Sequence, residues 1–133
     1  MRLVSDVVEQ RKVIQINPAS TVLDAAKLMA LHRIGALLVF NGKNMIGIVT
    51  ERDILTRAVA TGKDQKTTTV ESIMTPNPTT IAADKPFVNA LTIMRDGGYR
   101  HVPVVDGGQI VGMVSIRDAA GDELEEESQL DLG

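Results

Sequence analysis

The chain has no cysteine and no tryptophan, and only two phenylalanines and one tyrosine among its 133 residues. Without cysteine there are no disulfides, no thiolate metal ligands and no thiol nucleophile, and a reducing compartment is permitted. With so few rings, the base-stacking platforms that single-stranded nucleic-acid binding relies on are missing. No run approaches the ~18 apolar residues of a membrane span. Met1-Arg2-Leu3-Val4-Ser5-Asp6 also lacks the apolar stretch of a secretory signal. A cytoplasmic protein without membrane attachment is expected. Concentrated positive charge is absent too. The net charge is -3, split as +4 over residues 1–66 and -7 over residues 67–133, so nucleic acid is not an expected partner. The acidic excess collects in Asp122-Glu123-Leu124-Glu125-Glu126-Glu127, which reads as a solvated, frayed tail.

What is present is a repeat. At an offset of 65 without gaps, Ile16 to Asp53 lies over Ile81 to Asp118, with identities at Ile16/Ile81, Ala25/Ala90, Met29/Met94, Val39/Val104, Gly42/Gly107, Gly47/Gly112, Val49/Val114, Arg52/Arg117 and Asp53/Asp118. In the first copy Val13-Ile14-Gln15-Ile16 reads as a short strand. Val22, Leu23, Ala25, Ala26, Leu28, Met29 and Leu31 form an apolar stripe at helical spacing. Thr21 with Asp24 makes a capping box for that helix, and Gly35 is expected to turn the chain out of it. Ala36 to Phe40 is a buried strand, Asn41-Gly42 a tight turn, Met45 to Val49 the returning strand, and a helix is expected from Thr50 to about Thr61. The second copy repeats this order with Thr80-Ile81, a helix opening at Pro86, a stop at Gly97-Gly98, the strands Val102 to Val105 and Ile110 to Val114, and a last helix from Ser115. Short apolar helices at Val4 to Val8 and Val70 to Met74 introduce the copies. The polar stretch from Gly62 to Thr69 is a linker. The expected fold class is α/β (α+β): two pseudo-symmetric β-α-β-β-α repeats, 1–66 with the linker and 67–133 with the acidic tail, packed sheet to sheet because ~60 residues alone bury too little.

The chemistry-bearing segments follow each hairpin: Gly47-Ile48-Val49-Thr50-Glu51-Arg52-Asp53 and Gly112-Met113-Val114-Ser115-Ile116-Arg117-Asp118. A hydroxyl residue followed three positions later by Asp is an ordinary helix cap. The same carboxylate, if it keeps free lone pairs, can accept both hydroxyls of a ribose, the preceding glycine can admit a flat group, and the adjacent Arg offers donors to a phosphate. Cap and clamp are compatible. His32 reads as a helix-end surface residue, and the methionines sit at core spacing. Gly107-Gly108 with Gly112 lies in a hairpin, not before a long helix, so the dinucleotide fingerprint fails. No metal-ligand cluster and no nucleophile–base–orienter set emerges.

On these residues the chain resembles a pair of cystathionine-beta-synthase (CBS) domains, the tandem arrangement called a Bateman module, from about Val4 to Glu123. The resemblance is carried by Val70-Glu71-Ser72-Ile73-Met74-Thr75-Pro76, by Arg100-His101-Val102-Pro103-Val104-Val105-Asp106 and by the two Gly-x-x-(Thr/Ser)-x-x-Asp endings. It implies a stand-alone, non-enzymatic regulatory protein that binds AMP, ADP, ATP, NAD or S-adenosylmethionine in inter-repeat clefts and reports occupancy to a separate protein of unknown identity. Asp53 and Asp118 would hold the riboses, assisted by Thr50 and Ser115. Adenine would lie near Val13, Ile14 and Ile16 in one cleft and Thr79, Thr80 and Ile81 in the other, with Leu37, Leu38, Val102 and Pro103 as walls. Arg100 and His101 would read the phosphates at the Asp53 cleft, with Arg52 and Arg117 as further donors. The same resemblance implies a homodimer joined through the faces Val22 to Leu31 and Phe87 to Met94. Two other readings stand beside it: a structural dimerisation unit with degenerate clefts, and a small nucleotide-processing enzyme.

Overall fold

The computed structural model describes residues 1–8 and 11–130. The chain falls into two units. One takes Ile14–Pro78, and the other joins Met1–Val13 to Thr79–Gly133. Both are mixed α/β.

In the unit of residues 14–78, β1 (Gln15–Ile16) pairs in parallel with β2 (Ala36–Asn41), which pairs antiparallel with β3 (Asn44–Thr50). α2 (Val22–His32) connects β1 to β2 and buries Val22, Ala25 and Met29. The Thr21–Asp24 capping box forms as read, with Asp24 N–H donating to Thr21 Oγ1 at 3.1 Å and Thr21 N–H to Asp24 Oδ2 at 3.0 Å. Its C-terminal turn corrects the sequence reading. Arg33, not Gly35, takes the left-handed conformation (φ 55°). The repeat-equivalent Gly98 does so in the other unit (φ 72°).

After β3 the chain makes one α-helical turn, α3 (Glu51–Asp53), and continues as a π-helix over Ile54–Val59. Thr56 and Thr61 hydroxyls bond the carbonyls of Arg52 and Arg57, each at 2.8 Å. Such back-bonding slightly destabilises and bends a helix. α4 (Val70–Ile73) and β4 (Thr75–Pro76) complete the unit, with β4 added beside β3 in the sheet order β1-β2-β3-β4.

The other unit has β5 (Ile81–Ala82), α5 (Phe87–Gly97), β6 (His101–Asp106) and β7 (Gln109–Ser115) in the sheet order β5-β6-β7. The register repeats that of the first hairpin, including an irregularity at the same place: between Val39 and Phe40 in β2, and between Val104 and Val105 in β6. Instead of a helix starting at Ser115, a single 3-10 turn spans Ile116–Asp118 and the final helix, α6 (Gly121–Leu130), starts later. This helix contains the acidic run read as a frayed tail. Glu123 and Glu127 are buried and paired with Arg2 and Arg95, so two of its carboxylates are neutralised by residues remote in sequence.

The leading helices exchange places. α1 (Val4–Val8) packs in the unit of the second repeat, where Val4 and Ser5 donate backbone hydrogen bonds to Lys85 and Ala83, both at 2.8 Å. α4 does the equivalent in the first repeat's unit, with Val70 and Glu71 donating to Ser20 (2.8 Å) and Pro18 (3.1 Å). Val4, Val7 and Val8 enter one hydrophobic core with Phe87, Leu91, Val102 and Val104. Val70 and Ile73 enter the other with Val22, Leu37 and Val39. Each core is therefore completed by a short helix that the linear order places with the other repeat.

Candidate functional site

The sequence-predicted ribose residues meet at the same point of each unit, where the hairpin's second strand turns into a helix. Thr50 ends β3 in extended conformation and Asp53 closes the first helical turn. Asp53 N–H donates to Thr50 Oγ1 at 3.1 Å, and Thr50 N–H donates to Asp53 Oδ2 at 2.9 Å. The cap reading is thus correct, and it fixes one carboxylate oxygen. The other, Oδ1, lies 3.8 Å from Arg57 Nε, beyond hydrogen-bond reach. Asp53 is only 8 % exposed. Arg57 is itself engaged, donating to the carbonyls of Ile73 (3.1 Å) and Met74 (3.2 Å) at the end of α4.

At the matching place in the other unit, Ser115 N–H donates to Asp118 Oδ2 at 2.7 Å. Here the second oxygen is taken. Arg11 donates to Asp118 Oδ1 at 2.8 Å, and Arg2 donates to the Asp118 carbonyl at 2.7 Å. The bond to Asp118 raises the Arg11 guanidinium above its ordinary pKa. Sequence reasoning did not single out Arg11 or Arg57. Arg57 had a local signal, an acid and a base four residues apart. Arg11 had none, since 107 residues separate it from its partner.

The glycines before the hydroxyl residues do not leave open space. A Cβ on Gly47 would stand 2.5 Å from Met74 Sδ and 2.9 Å from the Thr75 carbonyl; one on Gly112 would stand 3.1 Å from Val8 Cβ. The introducing segments fill that room, so these positions are small in order to seat α1 and the α4–β4 segment. This corrects the expectation that they admit a flat ligand.

Of the residues expected along the adenine, Ile16, Leu37, Ile81 and Val102 have their side chains in the two cores. They can offer a ligand backbone atoms only. Leu38 and Pro103 occupy equivalent positions one residue on, are buried, and by strand alternation point to the opposite sheet face. Val13 and Ile14 are half-buried, and the Ile14 carbonyl accepts from Leu38 N–H at 3.2 Å. Thr79 and Thr80 are exposed. Among the proposed phosphate residues, Arg52, Arg100 and Arg117 are exposed, while His101 opens β6 directly across from Ser115 and is half-buried. Among the described residues no group of three or more His, Cys, Asp or Glu could hold a metal ion. None of the described helices is long and apolar enough to cross a membrane.

The sequence model of the CBS domain matches twice, over residues 4–60 and 70–121. The chain belongs to the CBS-domain family. A CBS domain-containing protein of Arabidopsis thaliana, CBSCBSPB2, is 38 % identical over 106 residues, which is 79 % of this chain and 20 % of that protein. The chain thus spans about a fifth of the length of the Arabidopsis relatives it matches first. Among solved structures, a CBS domain protein from Pyrobaculum aerophilum complexed with AMP superposes with a TM-score of 0.84 at 30 % identity, covering 96 % of this chain and 99 % of that one. The CBS domain pair of protein MJ0100, in complex with 5'-methylthioadenosine and S-adenosyl-L-methionine, superposes with a TM-score of 0.77 at 31 % identity, covering 89 % and 92 %. This chain is a CBS-domain pair, and its two strand-to-helix carboxylates are the chemistry that its two repeats share.

Proposed function

We propose that this CBS pair is a regulatory binding module, not a catalyst, that takes adenosine-containing ligands at two stations, Thr50/Asp53 and Ser115/Asp118, and transmits occupancy to the protein it regulates. The observation that carries the reading is Asp53: a largely buried residue with one carboxylate oxygen fixed by the backbone of Thr50, while the other has a 3.8 Å ion pair to Arg57 and no hydrogen bond among the described residues. That second oxygen is reached by solvent and keeps lone pairs to accept from a ligand, and vicinal ribose hydroxyls are donors of the right spacing for one carboxylate. Similar CBS pairs have been solved with AMP and with S-adenosylmethionine and methylthioadenosine, which supports an adenosine moiety as the common element. AMP, ADP, ATP and NAD are the candidates, with Arg52, Arg100, His101 and Arg117 as phosphate donors. No metal is required for that recognition.

A charge-assisted hydrogen bond contributes about 1.5–3 kcal/mol, so a clamp with adenine burial and a phosphate contact reaches a micromolar Kd, about -8 kcal/mol. The test is calorimetric titration with AMP, ATP, NAD and S-adenosylmethionine of the wild type, Asp53→Ala and Asp118→Ala. Each substitution is expected to abolish or weaken one site by at least roughly tenfold. Binding of none of the four ligands, or binding unchanged in the double variant, defeats the proposal. Ligand recovered chemically unaltered after long incubation supports binding over turnover.

A homodimer belongs to the same reading. The faces Val22 to Leu31 and Phe87 to Met94 are largely consumed by the chain's own cores, whereas Leu31, Leu55 and Val59 remain exposed on the helices of the first unit. Those three are the residues to place at a contact between copies, and light scattering on the purified chain measures its mass.

A further inference from the structure

The two stations are not equivalent, and the difference comes from one residue outside both repeat motifs. Arg11 donates to Asp118 Oδ1 at 2.8 Å while Ser115 N–H holds Oδ2 at 2.7 Å, so both carboxylate oxygens are engaged within the protein. Arg11 is held in place through its own backbone, its N–H donating to the carbonyl of Val8 at the end of α1 (3.0 Å). The stretch that follows α4 in the other repeat reads Pro76-Asn77 and carries no base. Asp53 has instead Arg57, 3.8 Å away and already donating to two carbonyls.

We infer that Arg11 is an internal competitor for the second ribose carboxylate. On the proposed function's reading of Asp118, a ribose can chelate that carboxylate only by displacing the Arg11 guanidinium from Oδ1. The Asp53 station therefore fills first and the Asp118 station at higher ligand concentration. Filling the second station releases the Arg11 guanidinium from Asp118, so occupancy there is reported at Arg11. The Arg11 side chain is 45 % exposed and that of Asp118 13 %, so the competition is partly screened by solvent and worth about two- to fivefold in affinity.

The experiment uses Asp53→Ala, which leaves only the Asp118 station, with and without Arg11→Met, titrated with AMP. Removing Arg11 is expected to tighten binding about two- to fivefold and to flatten its salt dependence. Arg11→Lys, which keeps the charge but not the fork, is expected to fall between. Unchanged or weaker binding in Arg11→Met overturns the inference, weaker binding meaning that Arg11 contacts the ligand. A second readout is independent of affinity: the Arg11 Nε–H NMR signal of the wild type is expected to shift at saturating AMP and to stay put in Asp118→Ala. Failure of the ribose reading itself looks different, since Asp118→Ala would then leave the stoichiometry of the wild type intact.

Discussion

Gly47 and Gly112 occupy the same repeat position, and the structure predicts different outcomes for the same substitution. In Gly47→Ala the new methyl group meets Met74 Sδ at 2.5 Å and the Thr75 carbonyl at 2.9 Å. The thioether belongs to a flexible side chain and can turn away. The carbonyl cannot, because it is part of β4, whose Thr75 and Pro76 are in register with Ile48 and Gly47. β4 must shift by a few tenths of an ångström, and overpacking of that kind costs ~1–3 kcal/mol. Against it stands the reduced freedom of the unfolded chain, ~0.4–1 kcal/mol in favour of alanine. The net expectation is a loss of about 1–2 kcal/mol.

In Gly112→Ala the neighbours are Val8 Cβ at 3.1 Å and Cγ1 at 3.2 Å, on the short helix α1. A smaller movement relieves them, and the entropic gain offsets most of the cost, so the net lies within roughly 0.5 kcal/mol of zero. Parallel urea and thermal unfolding of wild type and both variants, followed by circular dichroism, measures the difference. Gly47→Ala is expected to lower Tm by about 3–8 °C relative to Gly112→Ala. Equal shifts, or a larger loss at Gly112, would refute the contact argument and leave the glycines explained by something other than the seating of β4 and α1.

Two further predictions rest on other contacts. Arg33 is a non-glycine residue at φ 55° where the other repeat has Gly98; Arg33→Gly is expected to stabilise the chain by about 0.5–1 kcal/mol, and a lower urea midpoint would count against it. Glu123 is held below the usual glutamate pKa, first by its hydrogen bonds from Arg2, against opposing desolvation. A depressed folded-state pKa contributes stability that is present above the unfolded value of ~4.3 and lost as pH falls through the folded value. Glu123→Gln is therefore expected to lower Tm at pH 7, with the gap to wild type closing at pH below about 4; a gap that stays constant or widens in acid contradicts the assignment.

Much of this protein can be read locally. The 65-residue repeat, the short apolar strands, the Thr21–Asp24 and Thr50–Asp53 boxes and the turn glycines each depend on residues within a few positions of one another. Short-range sterics and hydrogen bonding suffice to specify them. The same holds for the location of both carboxylates, because an Asp three residues past a strand-ending hydroxyl must close that turn.

Three features were decided only in three dimensions. The leading helices are assigned across the repeats, which no pairwise pattern within one repeat encodes: α1 and α4 are too short to fold alone and take their place from the core each one completes. The acidic run becomes helix because Arg2 and Arg95 lie against Glu123 and Glu127, relieving repulsion between like charges four residues apart. The state of each carboxylate also follows from distance alone. Asp118 is hydrogen-bonded to Arg11 at 2.8 Å, whereas Asp53 makes only a longer ion pair with Arg57 at 3.8 Å, although the motifs that carry them end in the same Arg-Asp pair. Sequence spells out which groups are available; contact between segments far apart in the chain decides which of them are already engaged.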